Sequence, residues 1–326
     1  MRKAALILFA LCIPLGAAGG ELPANTWVKV QIDFGKTLKD FLAGRKGRWS
    51  TTDGYSDNVY RSKTGNVLIR TGIYCTELGT SPGFYTNTTV EWDVKTDTAR
   101  VHEVANWSGG SYGNGKPLPA YKEHPTPTPR HTYDGICYVP EEDAVYLLFG
   151  AYGRMKGGKP GASAEARKLI QADADYTWKY SFEKKSWTRI ESSPRSIKLR
   201  IRSLYENHLA HWPEGKKLLF FDSGGNTHAE FDLATQKWSG SAAKNRPGMS
   251  LYHARSTWDT KRGLWVFRLG PQVCTFDPKE KKFEKLPNCW EVKIPTRQEL
   301  SQMKKEKKKA DKRLKWKGIC YVSKHD

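Results

Sequence analysis

The chain has 326 residues, enough for one large hydrophobic core, and its 54 Lys and Arg residues outnumber its 34 Asp and Glu residues to give a formal net charge of +20. This charge favours polyanionic partners. Its few cysteines, without metal-ligand spacing, exclude a disulfide framework and a zinc site.

Residues 1–20 have the composition of a secretion signal. Arg2 and Lys3 give a charged start, residues 4–15 are apolar, and small residues follow at 16–18. The apolar run is shorter than the roughly 20 residues that cross a bilayer, and no later stretch is long enough. We therefore predict an exported protein, secreted or periplasmic, without a membrane span. Residues 21–326 are predicted to form one monomeric domain, and export argues against a nucleic-acid partner.

A repeated hairpin pattern runs through the mature chain. An aromatic residue precedes a polar turn, and a further residue, aromatic in three of the four copies, follows seven positions later. The pairs are Trp92 and Ala99, Tyr180 and Trp187, Phe231 and Trp238, and Phe276 and Phe283. Upstream of the last three hairpins lies an apolar strand, at about 144–149, 217–221 and 264–267, which follows a charged turn. Four strands per repeat are typical of a β-propeller blade, and the sequence contains four such repeats.

The repeat at 129–187 resembles a blade of the Kelch family. It has an Arg/His-bearing start, a strand ending in glycine, an aromatic strand and a closing Trp, namely Pro129-Arg130-His131, Leu148-Phe149-Gly150, Trp178-Lys179-Tyr180 and Trp187. It departs from the family pattern in having one Gly rather than two, and Ser181 where Asp is usual. The resemblance covers about residues 50–290. It implies an all-β, Kelch-type propeller of four-stranded antiparallel blades, and it says little about function.

Two segments interrupt the strand rhythm, at about 158–175 and 292–315, and we predict helical insertions there. The second is rich in lysine and is either a solvated linker helix or a polyanion-binding arm. Residues 316–322 copy residues 133–139, so a fifth blade begins near the C-terminus. We therefore expect a C-terminally truncated propeller, the alternative being a short one closed by its two termini. Cys274 and Cys289 are the one candidate disulfide.

Propeller ligands usually bind at the mouth of the central channel. Aligning the blades on Arg61, Pro140, Pro213 and Asp259 gives one polar column: Tyr55, Asp134, Asn207 and His253, with Lys317 in the fifth blade. Four basic residues close to this column are candidate anion clamps: Arg130, His131, Arg202 and Arg255. We predict a non-catalytic binding module for a carbohydrate or an acidic protein or polysaccharide, without a cofactor. A channel that is merely solvated remains the alternative.

The resemblance also implies two alternative hypotheses in which the protein is an enzyme. Galactose oxidases are Kelch-like and hold copper with tyrosine and histidine ligands, and Tyr252-His253 is similar to part of such a site. A sialic-acid mutarotase-like enzyme is the second alternative, since arginines near the mouth suit a carboxylated sugar. The sequence has no nucleophile elbow, zinc-protease motif or phosphate loop. No catalytic residue is therefore assigned.

Overall fold

The structure is a computed structural model. It describes residues 48–50, 58–70, 74–76, 84–85, 89–93, 95–96, 98–103, 107–108, 116–117, 125–128, 130, 132–150, 168–169, 172–173, 175–197, 199, 201, 206–225, 227–241, 243–270 and 272–287.

These residues form a four-bladed β-propeller of antiparallel sheets. The strands are β1 (Arg48–Ser50), β2 (Asn58–Arg61), β3 (Asn66–Arg70), β4 (Tyr74–Thr76), β5 (Phe84–Tyr85), β6 (Thr89–Asp93), β7 (Thr98–Glu103), β8 (Trp107–Ser108), β9 (Lys116–Pro117), β10 (Ile136–Val139), β11 (Ala144–Leu148), β12 (Thr177–Ser181), β13 (Ser186–Ile190), β14 (His208–Trp212), β15 (Lys217–Phe221), β16 (His228–Asp232), β17 (Lys237–Ser241), β18 (Arg255–Asp259), β19 (Leu264–Leu269), β20 (Gln272–Asp277) and β21 (Lys282–Leu286). Blade A is β2-β3-β6-β7, blade B is β10-β11-β12-β13, blade C is β14-β15-β16-β17, and blade D is β18-β19-β20-β21. A three-stranded sheet, β1-β4-β5, and the pair β8-β9 accompany them.

The aromatic pairs predicted from the repeat are cross-strand neighbours in the last hairpin of each blade. Tyr180 pairs with Trp187, Phe231 with Trp238, and Phe276 with Phe283. Their ring centroids are 5.2, 5.1 and 4.9 Å apart, within the range of favourable aromatic contacts. The predicted hairpins, with a strand ending on one aromatic and the next strand beginning near the other, are therefore confirmed.

The aspartate after the aromatic closes the hairpin turn. Asp232 Oδ1 accepts a hydrogen bond from the Thr235 amide at 2.8 Å, and Asp277 Oδ1 accepts one from the Lys279 amide at 2.8 Å. A residue with left-handed backbone completes these turns, Gln236 at φ 55° and Lys281 at φ 53°. The recurring aromatic–Asp dipeptide thus marks a side-chain-capped turn rather than a ligand site.

The hydrophobic core lies between adjacent blades rather than within any one of them. In β15, Leu218 and Phe220 pack against blade B, whereas Leu219 and Phe221 pack against blade D. This alternation follows from the two-residue period of a strand, which sends successive side chains to opposite faces of the sheet. A strand that is buried on both faces of its sheet is apolar along its whole length. The second strand of each blade could therefore be predicted from the sequence.

The closing tryptophans also bond neighbouring blades together. Trp187 Nε1 of blade B donates to Thr89 Oγ1 of blade A at 3.3 Å, and Trp238 Nε1 of blade C donates to Thr177 Oγ1 of blade B at 2.9 Å. Thr177 in turn donates to the Ser192 carbonyl at 2.7 Å. A Trp–Thr hydrogen bond at equivalent strand positions therefore joins blade A to blade B and blade B to blade C.

We expect Thr177→Val to lower the free energy of unfolding by about 1–3 kcal/mol, because the buried indole N–H of Trp238 loses its acceptor. Thr188→Val, on an exposed position of β13, is the matched control and should change it by less than about 0.5 kcal/mol. Denaturant unfolding measures both. In a double-mutant cycle with Trp238→Phe, an absence of coupling would contradict the inter-blade bond.

Several predictions fall outside the described residues. The secretion signal, the insertion at about 292–315, Cys289, Lys317 and the fifth blade lie there entirely, and the insertion at about 158–175 lies there for the most part. Neither insertion is therefore seen as a helical element. Within the described part of the chain, no helix combines the length and hydropathy needed to cross a membrane.

Candidate functional site

The first strands of successive blades lie side by side in the order β2, β10, β14 and β18. Asp134, just before β10, forms a parallel bridge with His208 at the start of β14, and its carbonyl accepts a hydrogen bond from the Leu209 amide at 2.8 Å. The chain segments that lead into these strands therefore meet at one end of the propeller. We call this end the entry face, and it comprises Tyr133, Asp134, Glu206, Asn207, His208, Tyr252, His253 and Arg255.

The strand register corrects the predicted polar column. The first strand of each blade ends on a residue that pairs across the turn: Arg61 with Asn66, Val139 with Ala144, Trp212 with Lys217, and Asp259 with Leu264. The sequence alignment used Pro140 and Pro213, which lie one residue beyond these ends. It was therefore one residue out of register in blades B and C. The residues equivalent to His253 are Tyr133 and Glu206, not Asp134 and Asn207.

The corrected position has left-handed backbone in three blades. The φ angles of Tyr133, Glu206 and His253 are 46°, 47° and 62°. Residues other than glycine adopt this conformation infrequently, and such residues concentrate at ligand sites and switch regions. Sequence reasoning missed Tyr133 and Glu206 because neither residue type signals a left-handed turn.

Asp134 joins three blades and is buried. Its Oδ2 atom accepts hydrogen bonds from the Ser256 amide at 2.7 Å and contacts His208 Nδ1 at 3.0 Å. Its Oδ1 atom accepts one from Arg255 Nη1 at 2.8 Å. The carboxylate that was predicted to face a ligand is thus used to hold blades B, C and D together.

His208 is also engaged on both sides of its ring. Nε2 lies 3.0 Å from the Leu251 carbonyl, which can only accept, so this nitrogen carries a proton. Nδ1 faces Asp134 Oδ2 and, at 3.3 Å, Ser256 Oγ. The ring is buried and offers no edge to a ligand.

Tyr252 and His253 are the exposed part of the entry face. Their side-chain rings lie 4.2 Å apart between centroids, and Tyr252 is one of two large hydrophobic residues that are exposed among those described. Glu206 contacts His253 twice: its Oε2 accepts a hydrogen bond from the His253 amide at 2.7 Å, and its Oε1 lies 2.5 Å from His253 Nδ1. This carboxylate is 4% exposed, whereas the His253 side chain is 55% exposed. More than half of the His253 side-chain surface is therefore open to solvent.

Arg130 does not lie on this face as an anion clamp. It is fully buried, its Nε donates to the Thr128 carbonyl at 2.9 Å, and its Nη1 donates to the Phe149 carbonyl at 2.9 Å. Its Nη2 forms an ion pair with Asp173, which is also buried. The guanidinium is thus committed to the interior of the protein, and Arg130 is left out of the proposed site.

The other predicted site residues divide into two groups. Asn207 is buried at the start of β14, and Arg255 is 16% exposed beside Asp134. Tyr55, His131 and Arg202 lie outside the described residues.

The described residues add no metal centre to Tyr252 and His253. No group of three or more His, Cys, Asp or Glu side chains among them is arranged to hold a metal ion. Nδ1 of His253 lies 2.5 Å from Glu206 Oε1. The described residues therefore do not supply the further ligands that a copper site at Tyr252 and His253 would need.

No family model matches the chain, and no curated protein matches it either. Among solved structures, it is similar to TolB from Acinetobacter baumannii (10% identity, 71% of this chain and 43% of that chain, TM-score 0.38). It is also similar to Kuenenia stuttgartiensis hydrazine synthase (12%, 72% and 49%, TM-score 0.36) and to an auxiliary nutrient binding protein from Bacteroides thetaiotaomicron (10%, 73% and 43%, TM-score 0.37). The chain spans less than half the length of each.

Proposed function

We propose that this chain is an exported, Kelch-type binding propeller whose ligand, a glycan or an acidic partner, contacts Tyr252 and His253 on the entry face. The observation that carries the proposal is an exposed pair of rings whose backbone is held at His253 by a buried carboxylate. Binding sites commonly combine an aromatic surface with a few well-placed polar groups on a rigid scaffold. The entry face supplies both.

The pair is preorganised, which favours binding. Glu206 accepts a hydrogen bond from the His253 amide and lies beside the ring, and the Tyr252 amide donates to Ser250 Oγ at 3.1 Å. Fixing the backbone in advance reduces the conformational entropy that is lost when a ligand binds. An aromatic ring held at this angle also presents a flat apolar face, while its phenol remains able to hydrogen bond.

We expect Tyr252→Ala and His253→Ala each to weaken binding of a ligand captured on a glycan array by tenfold or more, about 1.4 kcal/mol. Tyr60→Ala is the matched control, because Tyr60 is the other large hydrophobic residue exposed among those described and lies at the opposite end of a first strand. Isothermal titration calorimetry with the wild-type protein and the three variants measures the affinities. Equal affinities in all four proteins would place the ligand elsewhere.

A further inference from the structure

Each basic residue of the predicted mouth that the structure describes is paired with its own buried carboxylate. Arg255 is paired with Asp134, Arg130 with Asp173, and His253 with Glu206. The remaining two candidate clamps, His131 and Arg202, lie outside the described residues. The three carboxylates are each 4% exposed or less, so water screens them little.

These pairings change what the entry face can bind. An incoming anion would approach Arg255 with Asp134 Oδ1 already 2.8 Å from its Nη1 atom, and would meet the repulsion of that carboxylate. At His253, the buried carboxylate of Glu206 lies 2.5 Å from Nδ1 and would repel an anion that approached the ring. Because charges interact more strongly in a poorly screened interior than in water, these fixed carboxylates offset the attraction that the basic side chains beside them would exert on an anion.

A neutral, hydroxyl-rich ligand does not meet this opposition. A hydroxyl group can both donate and accept a hydrogen bond, so it can pair with Nε2 of the exposed His253 ring whether or not that nitrogen carries a proton. The Tyr252 ring offers a flat surface to the apolar face of a sugar ring, and its exposed fraction of 49% leaves that surface accessible. The accessible groups of the entry face thus fit a neutral sugar better than a carboxylated one.

From this pairing we infer that the entry face selects neutral polysaccharide or oligosaccharide chains and discriminates against uronic acids and other polyanions. The inference rests on the proposed function and narrows it, since that proposal leaves glycans and acidic partners open. It separates the ligand chemistry of this face from the strongly positive net charge of the whole chain.

The test uses matched pairs of hexasaccharides that differ only in oxidation at C6. Cellohexaose is compared with the β-1,4-glucuronate hexamer, and β-1,4-mannohexaose with the β-1,4-mannuronate hexamer, by calorimetry at 50 and 500 mM NaCl. We expect a neutral hexamer to bind at least tenfold more tightly than its uronate. Its affinity should change by less than about twofold between the two salt concentrations, because no net charge is exchanged.

The variants distinguish failure of this inference from failure of the proposed function. Tighter, salt-sensitive binding of the uronates that Tyr252→Ala abolishes would overturn the neutral-ligand inference and leave the binding site standing. Failure of every hexamer to bind would also overturn it. Binding that survives intact in both Tyr252→Ala and His253→Ala would overturn the proposed function itself. In Glu206→Gln, a gain in uronate affinity would confirm that the buried carboxylate excludes anions.

Discussion

Replacing Arg130 by methionine is expected to lower the free energy of unfolding by about 3–5 kcal/mol, because it leaves Asp173 charged and unpaired in the interior. Methionine keeps much of the aliphatic volume of the side chain, so the loss reports the charge and its hydrogen bonds. Asp173 Oδ1 also accepts a hydrogen bond from Trp178 Nε1 at 2.7 Å, and Thr128 Oγ1 lies 3.0 Å from Oδ2. Denaturant unfolding followed by tryptophan fluorescence measures the change.

Two further variants sharpen this result. Arg246→Met, at an exposed arginine, is the matched control and should stay within about 0.5 kcal/mol of the wild-type protein. Arg130→Met combined with Asp173→Asn should recover part of the loss, because the interior then holds no unpaired charge. A fully stable Arg130→Met protein with impaired glycan binding would instead return Arg130 to the ligand site.

Acid is expected to destabilise the interface between blades C and D through His228. This ring is buried, stacks on Phe221 at 4.7 Å, and neither of its nitrogens has a hydrogen-bond partner among the described residues. Burial lowers its pKa to about 4 from the ordinary 6.5, although the nearby carboxylate of Glu230 opposes this shift. The unfolded chain therefore binds more protons between these pH values, and the free energy of unfolding should fall by about 3 kcal/mol as pH falls from about 6.5 to 4.

His228→Phe isolates this contribution. Phenylalanine preserves the aromatic packing and cannot be protonated, so the variant should lose less stability than the wild-type protein over the same pH range. His211, whose pKa burial also lowers, is unchanged in both proteins. The pKa values of Glu91 and Asp143 are lowered to about 2. These carboxyl groups therefore change the free energy of unfolding only when the pH falls below their ordinary pKa values of 4.5 and 3.8. Parallel stability curves for the two proteins would exclude His228 as the source.

The repeating part of the fold could be predicted because its chemistry is local. An aromatic, a turn-capping aspartate and a second aromatic lie within one hairpin, so their spacing survives in the sequence as a pattern. The continuous apolar strands report burial on both faces of a blade. At the interface between blades C and D this pattern changes: His228 replaces the threonine found at Thr89 and Thr177, and Phe283 replaces the closing Trp. These two replacements are visible in the sequence, but the aromatic packing that results from them could not be predicted from it.

The candidate site was only partly predictable, because its partners come from different blades. Asp134 and Arg255 are 121 positions apart, and nothing in either local sequence indicates that one neutralises the other. The residues around Arg130 in the sequence are equally compatible with an anion-binding arginine and with a buried ion pair, so the sequence could not separate these roles. A proline in a turn was also taken for a strand end, and this shifted two blades by one residue. The exposed His253 was identified, but Glu206, which fixes it, was not.

Hydrogen–deuterium exchange with and without saturating cellohexaose or β-1,4-mannohexaose, whichever binds, locates the ligand on the propeller directly. Binding at the entry face should slow exchange in peptides that cover residues 206–208 and 250–256, with no change in the hairpin turns at 213–216 and 278–281. Protection confined to those turns, at the opposite end of the blades, would contradict the claim that the entry face is the binding site.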